Sequence, residues 1–485
     1  MLAFIFGILA IGSSAIKVSE EPESAVPNGY KLFTFPAFID NWSYNGAFFN
    51  LRYYINTNYW NATLPGPIFF YCGGNGAIEA YMSNTGYIDS LAQQMQAIVV
   101  YAEHRYFGSS LPFGNISFTP AGHAKYLSPH QAIADFAYLI TSLEAAYDQA
   151  PVIVWGGGYG GMLAAWMRLT YSNLVRGAIA SSAPVLAFNG TVDPNAFNAF
   201  VTSVYASQVP ECPAIIAVAF DNLRSLYGNE TAYERLTEIF QPCSPIQSIQ
   251  DVVNLSIWLQ NAFVALSIFN YPYPTSVIYP IPSNPVAQAC EMVKYANADD
   301  FWETIEVAAS VGVLYYNMTG LNVCANLNNL YANSNFGIES GWSYITCSTL
   351  NMPMGSSKAT SMFGDLPWDQ VDINNACLTA WNTTPEINYA SQWYGASNNP
   401  GQTWQYASNI VFSNGGLDPW QVGSVTKTFG DATVAAFVVD GAASMMDLMS
   451  PNPNDPPQLS AARATEKIAI QYWLYGLGKI NSSLN

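Results

Sequence analysis

Residues 152–166 run from Val152 to Trp166 as a short β-branched strand, a turn built of glycines and an apolar helix, with nothing between them. A chain that passes from strand to helix this abruptly needs positive-φ backbone at the corner, and glycine adopts it freely. The layout is that of a nucleophile elbow, in which a G-x-S-x-G turn lifts a serine above the edge of a sheet. Here the central position is Gly158, which has no side chain with which to attack anything. The chain has three histidines, His104, His123 and His130, and all of them precede the turn. On such a corner the nucleophile is followed in the chain by Asp or Glu and then by His. No residue after Gly158 can therefore be the histidine base.

Composition narrows the partners. Lys and Arg total 15 against 33 Asp and Glu, a formal charge of −18, which argues against nucleic acid and anionic membranes as partners. Half of the 485 residues are hydrophobic and 14% are aromatic, enough to bury a core in one large domain with an insertion, or in two domains. The apolar run Leu2 to Ile11, followed by Gly12-Ser13-Ser14-Ala15, reads as a secretory signal occupying residues 1–15. No Lys or Arg precedes that run. No later stretch is expected to span a membrane. Nine N-x-S/T sequons begin at Asn41, Asn61, Asn115, Asn189, Asn229, Asn254, Asn317, Asn382 and Asn481, as in a secreted glycoprotein. Of seven cysteines, six lie between Cys212 and Cys377 without a C-x-x-C pair. That favours disulfides in an oxidising compartment over zinc or redox chemistry. Cys72, at the end of a strand, is expected to be a buried free thiol, and no metal or cofactor is expected.

Strand-like runs fall at 31–36, 46–55, 67–72, 97–101, 152–155, 177–181, 409–413 and 434–440, with helical patterns at 129–147 and 160–172. Alternation of this kind predicts an α/β fold with a mostly parallel sheet covered on both faces, and an antiparallel hairpin at its edge. From about 185 to 395 the texture changes to helical periodicity, cysteines and Asn/Pro/Ser loops. The reading is a core of residues 16–184 and 396–485 interrupted by a helical insertion over 185–395. A closing amphipathic helix over 459–475 is expected to bury Ile468, Ile470 and Trp473.

Several separated segments resemble one family. They are Ala102 to Gly108 (AEHRYFG) with Ser110 to Gly114 (SLPFG), Tyr126-Leu127-Ser128 with Gln131 to Phe136 (QAIADF), the elbow and its helix, Ala180 to Pro184 (ASSAP), Phe412 to Gly415 (FSNG) with Leu417 to Trp420 (LDPW), and the turn from Gly441 to Leu448. In order and spacing the chain is similar to the lysosomal prolyl carboxypeptidase and dipeptidyl peptidase II family of serine exopeptidases, over nearly the whole mature chain. The resemblance implies an α/β-hydrolase core with an inserted helical, disulfide-linked cap over the mouth of the site. It also implies the pairs Cys212–Cys290, Cys243–Cys324 and Cys347–Cys377, and a secreted or lysosomal/vacuolar location. The family serine falls at Gly158 and its aspartate at Asp418. Its two adjacent histidines, placed by the Asp447-Leu448 pair, fall at Ser444 and Met445. The family loop Gly-Asn-Glu-Gly-Asp-Ile-Glu falls on Gly73 to Glu79, where Asn75 and Ala77 replace the acids expected to meet a substrate amine. Met162 and Trp420 match residues lining the family's proline pocket, and Met352 or Met354 completes it.

Loss of either serine or histidine alone lowers turnover in a serine protease by about 10⁶. The Tyr159 N–H can still supply an oxyanion donor, but with neither nucleophile nor base, hydrolysis through this site is not expected. Other candidates for the chemistry read as structural. Ser181 and Ser182 are turn and capping hydroxyls, His104 between Glu103 and Arg105 is a hydrogen-bonded core histidine, and His130 is a surface or capping residue. Gly156, Gly158 and Gly161 formally satisfy G-x-G-x-x-G, but no carboxylate ends the next strand, so a dinucleotide is excluded. The expectation is a non-catalytic homologue that binds peptides with proline near an end, or pairs with itself or with an active relative. The alternative is an active exopeptidase cleaving near proline through an unrecognised constellation.

Overall fold

β-Branched and aromatic runs build one eight-stranded sheet in the order β1-β2-β4-β3-β5-β6-β7-β8. The strands are β1 (Lys31–Phe38), β2 (Phe48–Asn56), β3 (Ile68–Cys72), β4 (Ile98–Ala102), β5 (Val152–Gly157), β6 (Val175–Ser181), β7 (Ile410–Gly415) and β8 (Val434–Val439). The computed structural model describes residues 26–476, apart from 44–45, 62, 64–65, 120, 278–279, 328–337, 398, 400 and 430–432. The expected leader at 1–15 and the sequon at Asn481 lie outside the described residues.

β1 and β2 pair antiparallel from Lys31↔Ile55 to Phe38↔Phe48, and β2 pairs antiparallel with β4. From β4 onward every pairing is parallel. The residues of β3, β4, β5 and β7 are all buried, whereas β1 is largely exposed. Parallel strands covered by helices on both faces need continuous apolar runs, and an edge hairpin does not. Two crossover helices place the site. Pro129–Ala146 starts with Pro129 in its first turn and Ser128 as its cap, accepting from the Gln131 N–H. Tyr159–Thr170 leads from β5 to β6 and is buried over most of its length. This is the α/β-hydrolase fold.

Between β6 and β7 the chain is helical, with Ala196–Gln208, Cys212–Ser225, Ile249–Ile268 and Phe301–Tyr316 as its longest described helices there. Disulfides join Cys212 to Cys290, Cys243 to Cys324 and Cys347 to Cys377, with Cα separations of 5.4, 4.9 and 5.3 Å. They close loops of 78, 81 and 30 residues, which restricts the unfolded chain by about 3–5 kcal/mol each in the loop-entropy account. Cys72 is a buried free thiol whose pKa is pushed up by burial, a state in which thiols are unreactive.

Three expectations are corrected. The Ile249–Ile268 helix is long and apolar enough to cross a membrane, contrary to the sequence reading, yet 67% of its most apolar window is buried inside the protein. In the closing helix Pro457–Tyr475, Ile470 is buried and Trp473 packs against the core, but Ile468 is 37% exposed. At 100° per residue, positions 468 and 470 stand on nearly opposite faces, and the buried stripe runs through Leu459, Ala462, Glu466 and Ala469. Of the sequons, Asn254 is buried mid-helix with its side chain accepting from Gln250. The Asn41 amide donates to Gln131 O and Asp135 Oδ1. In the folded protein neither is open to glycosylation, whereas Asn115, Asn189, Asn229 and Asn382 are exposed.

Candidate functional site

β5 turns into its helix through Gly158, whose φ of 55° and ψ of −123° lie where a side chain is strained. Its N–H donates to Ser181 O at 3.0 Å, and its carbonyl accepts from the Met162 N–H at 3.0 Å. Two residues on, a Cβ at Gly160 would lie 2.5 Å from Cys72 O, so a glycine there lets the β3 loop lie directly against the elbow. The corner is therefore fully formed. A Cβ built on Gly158 would meet only the Met445 Sδ, at 3.9 Å, and would otherwise project into open space.

Asp418 follows β7 and is completely buried. Its Oδ1 accepts from the Trp420 N–H at 3.0 Å, and the Ser182 and Ser444 hydroxyls lie beside the carboxyl. Burial pushes its pKa up to about 7; the nearby hydroxyls of Ser182 and Ser444 oppose that rise, and the Asp447 carboxylate adds to it. Ser444 and Met445 lie on the loop after β8. The Ser444 N–H donates to Ile268 O at 3.2 Å and its carbonyl accepts from Tyr271 Oη at 2.7 Å, so the inserted helices hold this loop in place. The Met445 N–H donates to Ser182 Oγ at 2.9 Å, and the Met445 thioether lies over Gly157 and Gly158. A triad base must bond to both acid and nucleophile. Here a hydroxyl faces the acid and a thioether faces the elbow, and neither can take up a proton at ordinary pH.

The remaining candidates are engaged elsewhere. Ser181 Oγ donates to Asp447 Oδ1 at 2.5 Å, and both Ser181 and Ser182 are fully buried. His104 Nδ1 is 2.6 Å from Arg105 O, which can only accept, so Nδ1 carries the proton and Nε2 accepts from Tyr159 Oη at 3.0 Å. Burial pushes the His104 pKa down to about 3, which makes it a neutral strut beneath the elbow. His123 stacks on Phe113, and His130 sits between the rings of Trp42 and Trp393. In the loop after β3, Asn75 accepts from Tyr81 Oη at 3.2 Å, and Glu79 pairs with Arg52 and accepts from Tyr54 Oη at 2.9 Å.

Met162, Met352, Met354 and Trp420 line one cavity of about 220 Å³ together with Gly158, Tyr159, Ser444 and Met445. Its other wall comes from the inserted helices, through Phe197, Asn261, Ile268 and Phe269, and from Trp342. Sequence reasoning missed this second group. Their helices are apolar on more than one side, so periodicity alone does not say which face meets the cavity.

An elbow, an acid after β7 and a loop after β8 converging on a capped cavity define a serine-hydrolase scaffold. The sequence profile described as "Serine carboxypeptidase S28" matches residues 38–466. The chain belongs to that family. It is 36% identical to the lysosomal Pro-X carboxypeptidase of Bos taurus over 440 residues, covering 90% of this chain and 86% of the relative. Against the lysosomal Pro-X carboxypeptidase of Homo sapiens it is 35% identical over 469 residues, 96% and 92% of the two chains. Among solved structures, a peroxisomal alpha-beta-hydrolase of Saccharomyces cerevisiae superposes with a TM-score of 0.38 at 10% identity, covering 94% of this chain and 92% of the other.

Proposed function

We propose that this chain is a pseudo-peptidase of the serine carboxypeptidase family: it keeps the scaffold and the cleft and does not hydrolyse peptides by triad chemistry. One observation carries the reading. The elbow holds Gly158 with open space above it, and the side chain facing that space is the Met445 thioether instead of an imidazole. The cavity lined by Met162, Met352, Met354 and Trp420 then serves binding, with peptides bearing proline near one end as the ligand class. Pairing with a second copy or with an active relative is the second role we assign to such a scaffold. The three disulfides and the lysosomal relatives support a lysosomal or secreted lumen, with the exposed Asn115, Asn189, Asn229 and Asn382 as its glycan sites.

The test is direct. A fluorophosphonate probe is expected to leave the purified protein unlabelled, and X-Pro and Pro-X peptides are expected to survive it from pH 4 to pH 8. Covalent labelling or steady turnover by the pure protein ends the proposal.

A further inference from the structure

The loop after β8 supplies Ser444 and Met445 to the cavity wall, and the closing helix fastens it from behind. From that helix, Pro457–Tyr475, Arg463 Nε donates to Asp447 O at 2.9 Å, and one terminal nitrogen donates to Met446 O and Met449 O at 2.8 and 2.9 Å. The other terminal nitrogen donates to Asp455 Oδ2 at 2.7 Å. These donors are taken up by loop carbonyls and by Asp455. Three residues further along the same helix face, Glu466 turns to the Asp447 side chain. The two carboxyls meet where Glu466 is 0% and Asp447 4% exposed.

The elements packed around the pair bring few charges to it. β6 brings Ser181, whose Oγ donates to Asp447 Oδ1 at 2.5 Å, and β7 brings the Ser413 hydroxyl to Glu466. The Tyr87–Met95 helix brings Tyr87, whose Oη donates to Arg463 O at 2.6 Å. The turn after β7 brings the Asp418 carboxyl, and the chain after the Ile249–Ile268 helix brings the Tyr271 phenol. Within this described set Arg463 is the one cation. Two carboxyls in contact repel when both are ionised, and share a hydrogen bond when one keeps its proton. Burial and then the Asp447 charge hold Glu466 well above the usual carboxylate range, so Glu466 is the group that keeps it. The strand end that meets Asp447 also meets the elbow: Ser181 O accepts from the Gly158 N–H at 3.0 Å, and Ser182 Oγ accepts from the Met445 N–H at 2.9 Å.

We propose that Asp447 and Glu466 form a one-proton latch. With the proton in place, the loop bearing Ser444 and Met445 is held against the elbow; with the proton lost to an alkaline medium, two buried charges push that loop away and loosen the cavity wall. Folded Glu466 keeps its proton to higher pH than the unfolded chain does. The latched state is therefore favoured in acid and loses ground as pH climbs through that raised value. Neither carboxyl lines the cavity, so the latch does not depend on what the cleft binds or on whether it turns anything over.

Hydrogen exchange on the full chain, read by mass spectrometry as the protection of residues 442–449 from pH 5 to pH 9, tests it. In the parent that protection is expected to fall about tenfold or more across the range, while β5 stays protected. Glu466→Gln keeps the size and the hydrogen bonds but has no proton to lose, and is expected to fall by less than about threefold. Asp447→Asn, whose amide oxygen still accepts from Ser181, is expected to do the same and serves if the first variant does not fold. Asp418→Asn is expected to keep the fall seen in the parent. Constant protection in the parent overturns the proposal, and so does an equal fall in β5, which would mean that the whole fold responds. A fall that persists in the folded pair variants, or one that Asp418→Asn alone removes, places the response on another group and overturns it too.

Discussion

Two fully buried carboxylates stand in opposite halves of the sheet and differ in almost everything but burial. Beside β1 and β4, Asp135 receives Arg105 Nε at 2.7 Å, a second Arg105 nitrogen at 2.6 Å and the Asn41 amide at 2.8 Å. The remaining Arg105 donors reach Phe38 O, Ile39 O and Tyr126 O. After β7, Asp418 keeps one backbone bond, and its other neighbours are neutral hydroxyls, those of Ser182 and Ser444. Close to it, the buried Asp447 and Glu466 carboxyls face one another, and burial together with the Asp447 charge holds Glu466 well above the usual carboxylate range. The first half satisfies its charge internally. In the second, Asp418 has no cation among its described partners, and the fold tolerates this because a carboxylate can take up a proton. Groups that hold the framework together and groups that would run a reaction can therefore be told apart by how completely their hydrogen bonds are met.

The largest test of that contrast is Arg105→Met. It leaves Asp135 buried and uncompensated and strands three carbonyls, so a loss of about 3–5 kcal/mol is expected, read as a lower midpoint in urea unfolding at pH 7. A loss under about 1 kcal/mol would mean that the Arg105 network is not the structural anchor the geometry makes it.

Asp418→Asn acts in the opposite direction. The pKa of Asp418 is raised in the folded state from 3.8 to about 7, so between those values the unfolded chain binds fewer protons than the folded one. Stability contributed by this residue then falls as pH climbs through that window, and levels off above it. The full rise corresponds to an order of 4 kcal/mol, part of which an asparagine gives back through its own unpaired amide. The variant is expected to be more stable than the parent by about 2–3 kcal/mol at pH 8 and equal to it near pH 3.5. A parent that gains stability from Asp418 as pH rises would show that this carboxylate has a cation after all.

The same contrast explains what was legible beforehand. The strands are readable nearly to the residue because β3, β4, β5 and β7 are buried throughout, and such strands are written largely as apolar runs. Gly158 at the corner and the absence of any histidine after it are legible in the sequence itself. Side-chain direction was harder to read. Ile468 is apolar and so reads as buried, although its helix turns it outward. The Ile249–Ile268 helix is long and apolar enough to cross a membrane, and its burial depends on partners contributed from distant parts of the chain.

The smallest effect expected is also the most pointed. Gly158→Ser puts its Cβ into space where the nearest neighbour beyond the chain itself is the Met445 thioether at 3.9 Å, so no clash opposes that carbon. The penalty is backbone strain at a φ of 55°, about 1–2 kcal/mol in urea unfolding. Hydrolysis of an X-Pro substrate is expected to remain at the level of the parent, because the new hydroxyl faces sulfur and cannot pass its proton on. Combining Gly158→Ser with Ser444→His or Met445→His supplies the absent base, next to Asp418 in one case and next to the elbow in the other. If either pair produces an acyl-enzyme burst where each single change produces none, position 444 or 445 is identified as the seat of the missing imidazole. A burst from Gly158→Ser alone would instead reveal a base already within reach, and the emptied half of the sheet would have to be read again as a working one.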